Sequence, residues 1–196
     1  MSTKQSHIKQ LTLFSLFTAI LIMQTFIPVL GYIHLGFVDF TIVHITVILA
    51  ACLLGSKLGT GIGLTWGLLS MIKAYTTAGI LNPLFYNPLI SVLPRMLVGL
   101  LAGVLFQLLS KKISLTMSAV IASFIGTITN TGLVLGGFYV FGYQFIANTL
   151  PNPSQSGDVV LGFILTLIST NTLFELLSAI IVTPALVKPL SSLFKK

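Results

Sequence analysis

Residues 88–109 read PLISVLPRMLVGLLAGVLFQLL, an unbroken apolar run in which Arg95 is the one charged residue. About 20 such residues wound as a helix reach across the hydrocarbon of a bilayer. The apolar positions follow one another without the period-two alternation of a barrel strand, so the run reads as a membrane-crossing helix. Working outward, comparable runs lie at about 10–30, 41–54 and 58–75 before it and at about 115–143 and 158–187 after it. Gly55, Ser56 and Lys57 make a tight turn between the second and third. The expected fold is an all-α integral membrane protein, six transmembrane helices in a compact bundle, forming a single domain over residues 1–196.

Composition agrees. The chain is 55% hydrophobic and 7% charged, with a mean hydropathy of +1.05, whereas soluble domains carry roughly a quarter charged residues. That excludes a water-soluble protein. The net charge of +7 resides at the ends of apolar runs, where topology signals sit, and forms no basic stripe, so no nucleic-acid partner is expected. With the N-terminus in the cytoplasm, Lys4, Lys9, Lys57, Lys111, Lys112, Lys188, Lys195 and Lys196 lie inside and only Lys73 and Arg95 lie toward the outside. Both termini are then cytoplasmic, and the longer connections at 31–40, 76–87 and 144–157 face outward as the mouth of any site for an external solute. Lys4 and Lys9 precede the first run as in a signal peptide, but no small-residue cleavage site follows near 28–32, so this segment is expected to be retained.

Little enzymatic chemistry is on offer. The lone Cys52 permits neither a disulfide framework nor a cysteine metal site. His34 and His44, with Asp39 between them, read as solvated residues of the first outer loop and match no metal-ligand spacing, and Gly55-Ser56-Lys57 lacks the preceding glycine of a phosphate-binding loop. No catalytic residue, cofactor or metal is expected, and the chain cannot hydrolyse ATP alone.

Polar residues inside apolar runs are the functional candidates. Arg95 lies about two turns below the outer end of its helix. It either braces outer-loop carbonyls or a neighbouring carboxylate, or holds a carboxylate ligand in its bidentate fork. Lys73, nearer the surface, is explained by snorkelling. Glu175 could bind a coupling ion, pair with Arg95 or Lys73, or hydrogen-bond between helices; Asn171, four residues earlier, shares its face. Thr127, Thr129, Asn130 and Thr131 need partners in lipid, from a neighbouring helix or a ligand. Convergence of Asn87, Arg95, Asn130, Thr131 and Asn171 would make a pocket for a small, hydroxyl-rich anion. Ser15 and Ala19, Gly59, Gly63 and Gly67, and Gly99 and Gly103 are small residues spaced by four, which lets helices approach closely; for the glycines, internal packing is expected.

A likeness emerges from these strings. Six runs in this length, the basic N-terminus, Ser15-x-x-x-Ala19, the Asn87-to-Arg95 segment NPLISVLPR and the segment from Thr129 to Leu135, TNTGLVL, together resemble the S component of an energy-coupling factor (ECF) vitamin transporter. The Asn-Pro…Leu-Pro-Arg and Thr-Asn-Thr strings are similar to those of the branch that includes pantothenate-specific members. The resemblance implies a substrate-binding membrane subunit in the bacterial cytoplasmic membrane. Such a subunit docks on a transmembrane coupling protein with two ATPases, binds its vitamin under the first outer loop and topples to release it. Ser15 and Ala19 would form the docking face, where the family most often has two alanines. Asn87, Arg95, Asn130, Thr131 and Asn171 would bind the vitamin. Folate, a pyridoxine-like vitamer or a thiamine precursor remain open beside pantothenate, as do an ion-coupled secondary transporter using Glu175 and a membrane scaffold.

Overall fold

The computed structural model describes residues 3–35, 38–149 and 157–194. In chain order its elements are α1 (Thr3–Phe26), the one-turn α2 (Pro28–Gly31), strands β1 (Tyr32–Leu35) and β2 (Val38–Thr41), α3 (Val43–Leu54), α4 (Ser56–Thr76), a 3₁₀ turn (Asn82–Tyr86), α5 (Pro88–Ser91), α6 (Leu93–Leu109), α7 (Leu115–Thr149) and α8 (Gly157–Phe194). The expected helices are present, with informative differences at their ends. The first run breaks at Ile27, ahead of Pro28, because a residue before proline is pushed out of the helical region. The following connection is an antiparallel β-hairpin in which Tyr32 stands opposite Thr41 and Leu35 opposite Val38. Helices α7 and α8 run past the expected ends of their runs, and the centre of the connection between them lies outside the described residues.

Among the described residues, four stretches are long and apolar enough to cross a membrane: Ile8–Phe26, Pro88–Leu109, Leu115–Asn148 and Thr172–Ser191. Helix α3 has 12 residues, a length of about 18 Å at 1.5 Å per residue. Helix α4 is longer, but its glycines and hydroxyl side chains hold its apolarity below that of the four.

Helix α3 is the centre of the bundle. Every residue from Val43 to Cys52 is buried, as a helix apolar on all sides must be. Helices α1, α4, α6, α7 and α8 pack around it, contributing Phe17, Ile62, Val98, Ala119 and Val187, among others, to one continuous core. Gly55 alone links α3 to α4, at φ +90°, a conformation that glycine adopts without strain. Leu11, Ile22, Ile72, Phe124, Val140 and Ile181 point outward, as a lipid-facing surface would have them.

The glycine rows pack internally. A Cβ on Gly63 would lie 2.1 Å from the Arg95 carbonyl oxygen, and one on Gly99 would lie 2.1 Å from that of Gly59. The backbones of α4 and α6 therefore touch, and this contact fixes the depth of Arg95 against α4.

Candidate functional site

The segment from Asn87 to Arg95 builds the site through two prolines. Pro88 occupies the first helical position, and the Asn87 side chain accepts the Leu89 N–H at 3.0 Å, capping the helix. Pro94 has no N–H to give to the Ile90 carbonyl one turn earlier. The helix is interrupted at Val92, and Arg95 Nη1 donates to the Ile90 oxygen at 2.5 Å. The arginine thus supplies the hydrogen bond that the proline withholds.

Its guanidinium is also held by rings. The central carbon lies 5.1 Å from the Trp66 ring centroid and 5.4 Å from that of Phe85, within cation–π range. Phe85 packs edge-on against Phe138 of α7, with centroids 5.4 Å apart. Arg95 is only 7% exposed, which fixes a permanent charge in an apolar bundle.

Further buried polar groups lie at the same depth. On α7, Gly126 faces Ile48 of α3 and Val98 of α6, while Gly137 faces Ile90. Asn130 falls between these levels, opposite the stretch that carries Arg95. It is 7% exposed, and its Oδ1 has no hydrogen-bond partner among the described residues. Thr131 beside it is half-buried. Thr127, one turn away on the buried face, also leaves its hydroxyl unbonded among the described residues.

Helix α8 brings Glu175, 9% exposed, whose Oε1 accepts the Thr41 N–H at 3.0 Å. This bond ties the end of β2 to α8, within electrostatic range of Arg95. The hairpin is thereby anchored over the bundle by a carboxylate. The Asn171 side chain lies outside the described residues.

Three residues at this depth escape the sequence argument. His44, grouped with His34 and Asp39 as a loop residue, is in fact fully buried in the first turn of α3. Neither ring nitrogen has a hydrogen-bond partner among the described residues. Trp66 and Ser70, one turn apart on α4, are 1% and 8% exposed, and Trp66 Nε1 and Ser70 Oγ have no partner among the described residues. A histidine within an apolar run was a usable signal; a tryptophan among leucines was not. Buried polar atoms in folded proteins are almost always bonded, so the open ones gathered around Arg95 make this layer the candidate site.

Ser15 and Ala19 lie elsewhere. Helix α1 turns Phe17, Leu21 and Thr25 into the bundle and leaves Ser15 and Ala19 exposed on its outward side, beside Leu11, Ile22 and Met23. They are available to a partner or to lipid.

A profile of the family described as "ECF transporter, substrate-specific component" matches residues 9–187. The pantothenate transporter PanT of Leuconostoc mesenteroides subsp. mesenteroides is 36% identical over 190 residues, covering 91% of this chain and 90% of its own length. The pantothenic acid transporter PanT of Lactococcus lactis subsp. cremoris is 30% identical over 203 residues, covering 96% of each.

Proposed function

The chain belongs to the substrate-specific components of ECF transporters, and from that membership we propose that it captures pantothenate outside a bacterial cytoplasmic membrane for delivery inward. The single observation that carries the choice of ligand is the polar layer centred on Arg95. Pantothenate has a carboxylate, two hydroxyls and an amide on a short branched chain. A deep guanidinium suits the carboxylate, and Asn130, Thr131 and Asn171 offer donors and acceptors for the rest. Asn87 contributes by capping α5, the turn that leads into the helix presenting Arg95, and its amide nitrogen is left for a direct contact. Both relatives bear names that specify this vitamin. The carboxylate of Glu175 is engaged by the hairpin backbone, which favours an anchoring role over an ion-coupling one.

Titration calorimetry of the purified protein in detergent tests the reading directly: saturable one-site binding of pantothenate is expected, and absence of binding would overturn it. In this reading the chain crosses the membrane six times, with α3 and α4 sheltered by longer neighbours and both termini in the cytoplasm. Single cysteines placed at Gly36 and Gln155 in a Cys52→Ala background should react with an impermeant maleimide on intact cells. Reaction only after permeabilisation would reverse the orientation.

Transport requires docking on a coupling protein with two ATPases, through the exposed face of α1. Replacing Ser15 and Ala19 by leucine blocks the close helix approach that small side chains allow. Uptake and copurification of the ATPases should be lost while pantothenate binding by the isolated protein persists. Equal loss of binding would assign these residues to the bundle instead.

A further inference from the structure

The polar layer contains a donor that the capture of a carboxylate by Arg95 does not use. Trp66 is the only tryptophan of the chain, is 1% exposed, and sits on α4 with the face of its ring toward the Arg95 guanidinium, 5.1 Å from centroid to Cζ. That contact is made by the π face. The indole N–H lies at the ring edge, and Nε1 is buried without a hydrogen-bond partner among the described residues. An indole nitrogen donates and never accepts, so whatever satisfies it must present an acceptor.

The backbone that carries the ring is closely placed. Gly63 and Gly67, which flank Trp66 on α4, pack directly on the backbones of Arg95 and Val92, which sets α4 against α6 at this level, and the indole itself is buried between them. Ser70, one turn further along the same helix, is 8% exposed and likewise leaves its hydroxyl unbonded among the described residues. Two unsatisfied donor groups on one helix face thus accompany a cation. Donors gathered around a fixed positive charge suit an anionic acceptor with several lone pairs, which a carboxylate is.

We propose that Trp66 is a ligand-binding residue whose indole N–H donates to the same carboxylate that Arg95 holds, with Ser70 as a further donor, so that one ring both positions the guanidinium and bonds the ligand. This rests on the reading of the layer as a pantothenate site. It also orients the ligand: its carboxylate lies against α4 and α6, and its hydroxylated end lies toward Asn130 on α7.

The test uses the full chain in detergent, with pantothenate and with the alcohol in which CH₂OH replaces the carboxylate. Trp66→Phe keeps an aromatic face for Arg95 and removes the N–H. Pantothenate should bind this variant about tenfold more weakly, the worth of one charge-assisted hydrogen bond, whereas the alcohol should change less than about threefold. Equal losses for both ligands would overturn the proposal, since a purely structural ring does not discriminate between them; so would an unchanged pantothenate affinity. Native protein gives a second readout without any variant. Its single tryptophan should shift its emission on saturation with pantothenate and shift less with the alcohol. Calorimetric binding of pantothenate with no emission change would overturn the role of Trp66 alone, and no binding to native protein would overturn the site reading with it.

Discussion

Gly63→Ala should lower the unfolding temperature of the detergent-solubilised protein by roughly 5 °C or more, while Gly132→Ala should leave it unchanged or raise it. The two substitutions add the same methyl group to helices of the same bundle. At Gly63 that carbon would lie 2.1 Å from the Arg95 carbonyl oxygen and 2.8 Å from its carbonyl carbon, whereas at Gly132 it meets nothing within 4 Å. Alanine's better helix propensity contributes about 1 kcal/mol in either place. Overpacking costs about 1 to 3 kcal/mol where side chains can yield, and here the obstacle is backbone, so the upper part of that range or more is expected at Gly63. The clash outweighs the propensity. For a chain of this size a net loss of about 2 kcal/mol corresponds to roughly 4 to 8 °C. Pantothenate affinity should fall as well, because the helices can accommodate the methyl only by moving Arg95 relative to Trp66. Thermal melts followed by tryptophan emission or by aggregation check the first part, and calorimetry checks the second. A Gly63→Ala protein that melts with the native one would show that the α4–α6 contact is looser than its backbone distances require.

The two glycine rows were legible because their four-residue spacing has one physical meaning in an apolar helix, close approach, and the structure supplies the partner backbone. Arg95 and Glu175 were legible for a related reason: charge is so rare in this chain that each charged residue within a run demands an account. The opposite holds for Trp66, an apolar aromatic in an apolar run, whose polar edge matters only once its neighbours are known. Asn87 was legible as a residue of consequence but ambiguous as to which. Asparagine before proline is a helix-capping signature, and local chemistry claims its oxygen. The hairpin was missed because residues 32–41 continue the mixture of apolar and turn-forming residues that any connection between membrane helices displays. Its end is tied down by a contact no local pattern reveals, the Glu175 carboxylate 134 residues away, which accepts the Thr41 N–H. His44 was misassigned through its sequence neighbours, since the chain leaves β2 and enters α3 within two residues.

Arg95→Lys should weaken pantothenate binding by about 1 to 3 kcal/mol, the difference between a bidentate charge-assisted pair and a point charge, and Arg95→Gln should weaken it further. Either loss by itself is ambiguous, because Arg95 also braces the Ile90 carbonyl that Pro94 leaves unserved. Stranding that buried oxygen costs about 1 to 3 kcal/mol of stability, and a disturbed helix could lose the ligand indirectly. Pro94→Ala separates the two roles. Alanine at 94 restores an N–H one turn beyond Ile90, so the carbonyl no longer depends on the guanidinium. In the Pro94→Ala background Arg95→Gln should therefore destabilise the fold less than it does in the native chain, yet reduce pantothenate binding just as severely. An analogue whose carboxylate is converted to a primary amide completes the cycle: it should bind native protein poorly and lose little more when Arg95 is changed, since the two alterations remove the same interaction. Calorimetry for binding and thermal melts for stability, on native, Pro94→Ala, Arg95→Gln and double-variant proteins, give the two couplings independently. Recovery of binding as well as stability in the double variant would make the arginine a brace alone. Additive losses with the amide analogue would place the ligand's carboxylate elsewhere in the layer.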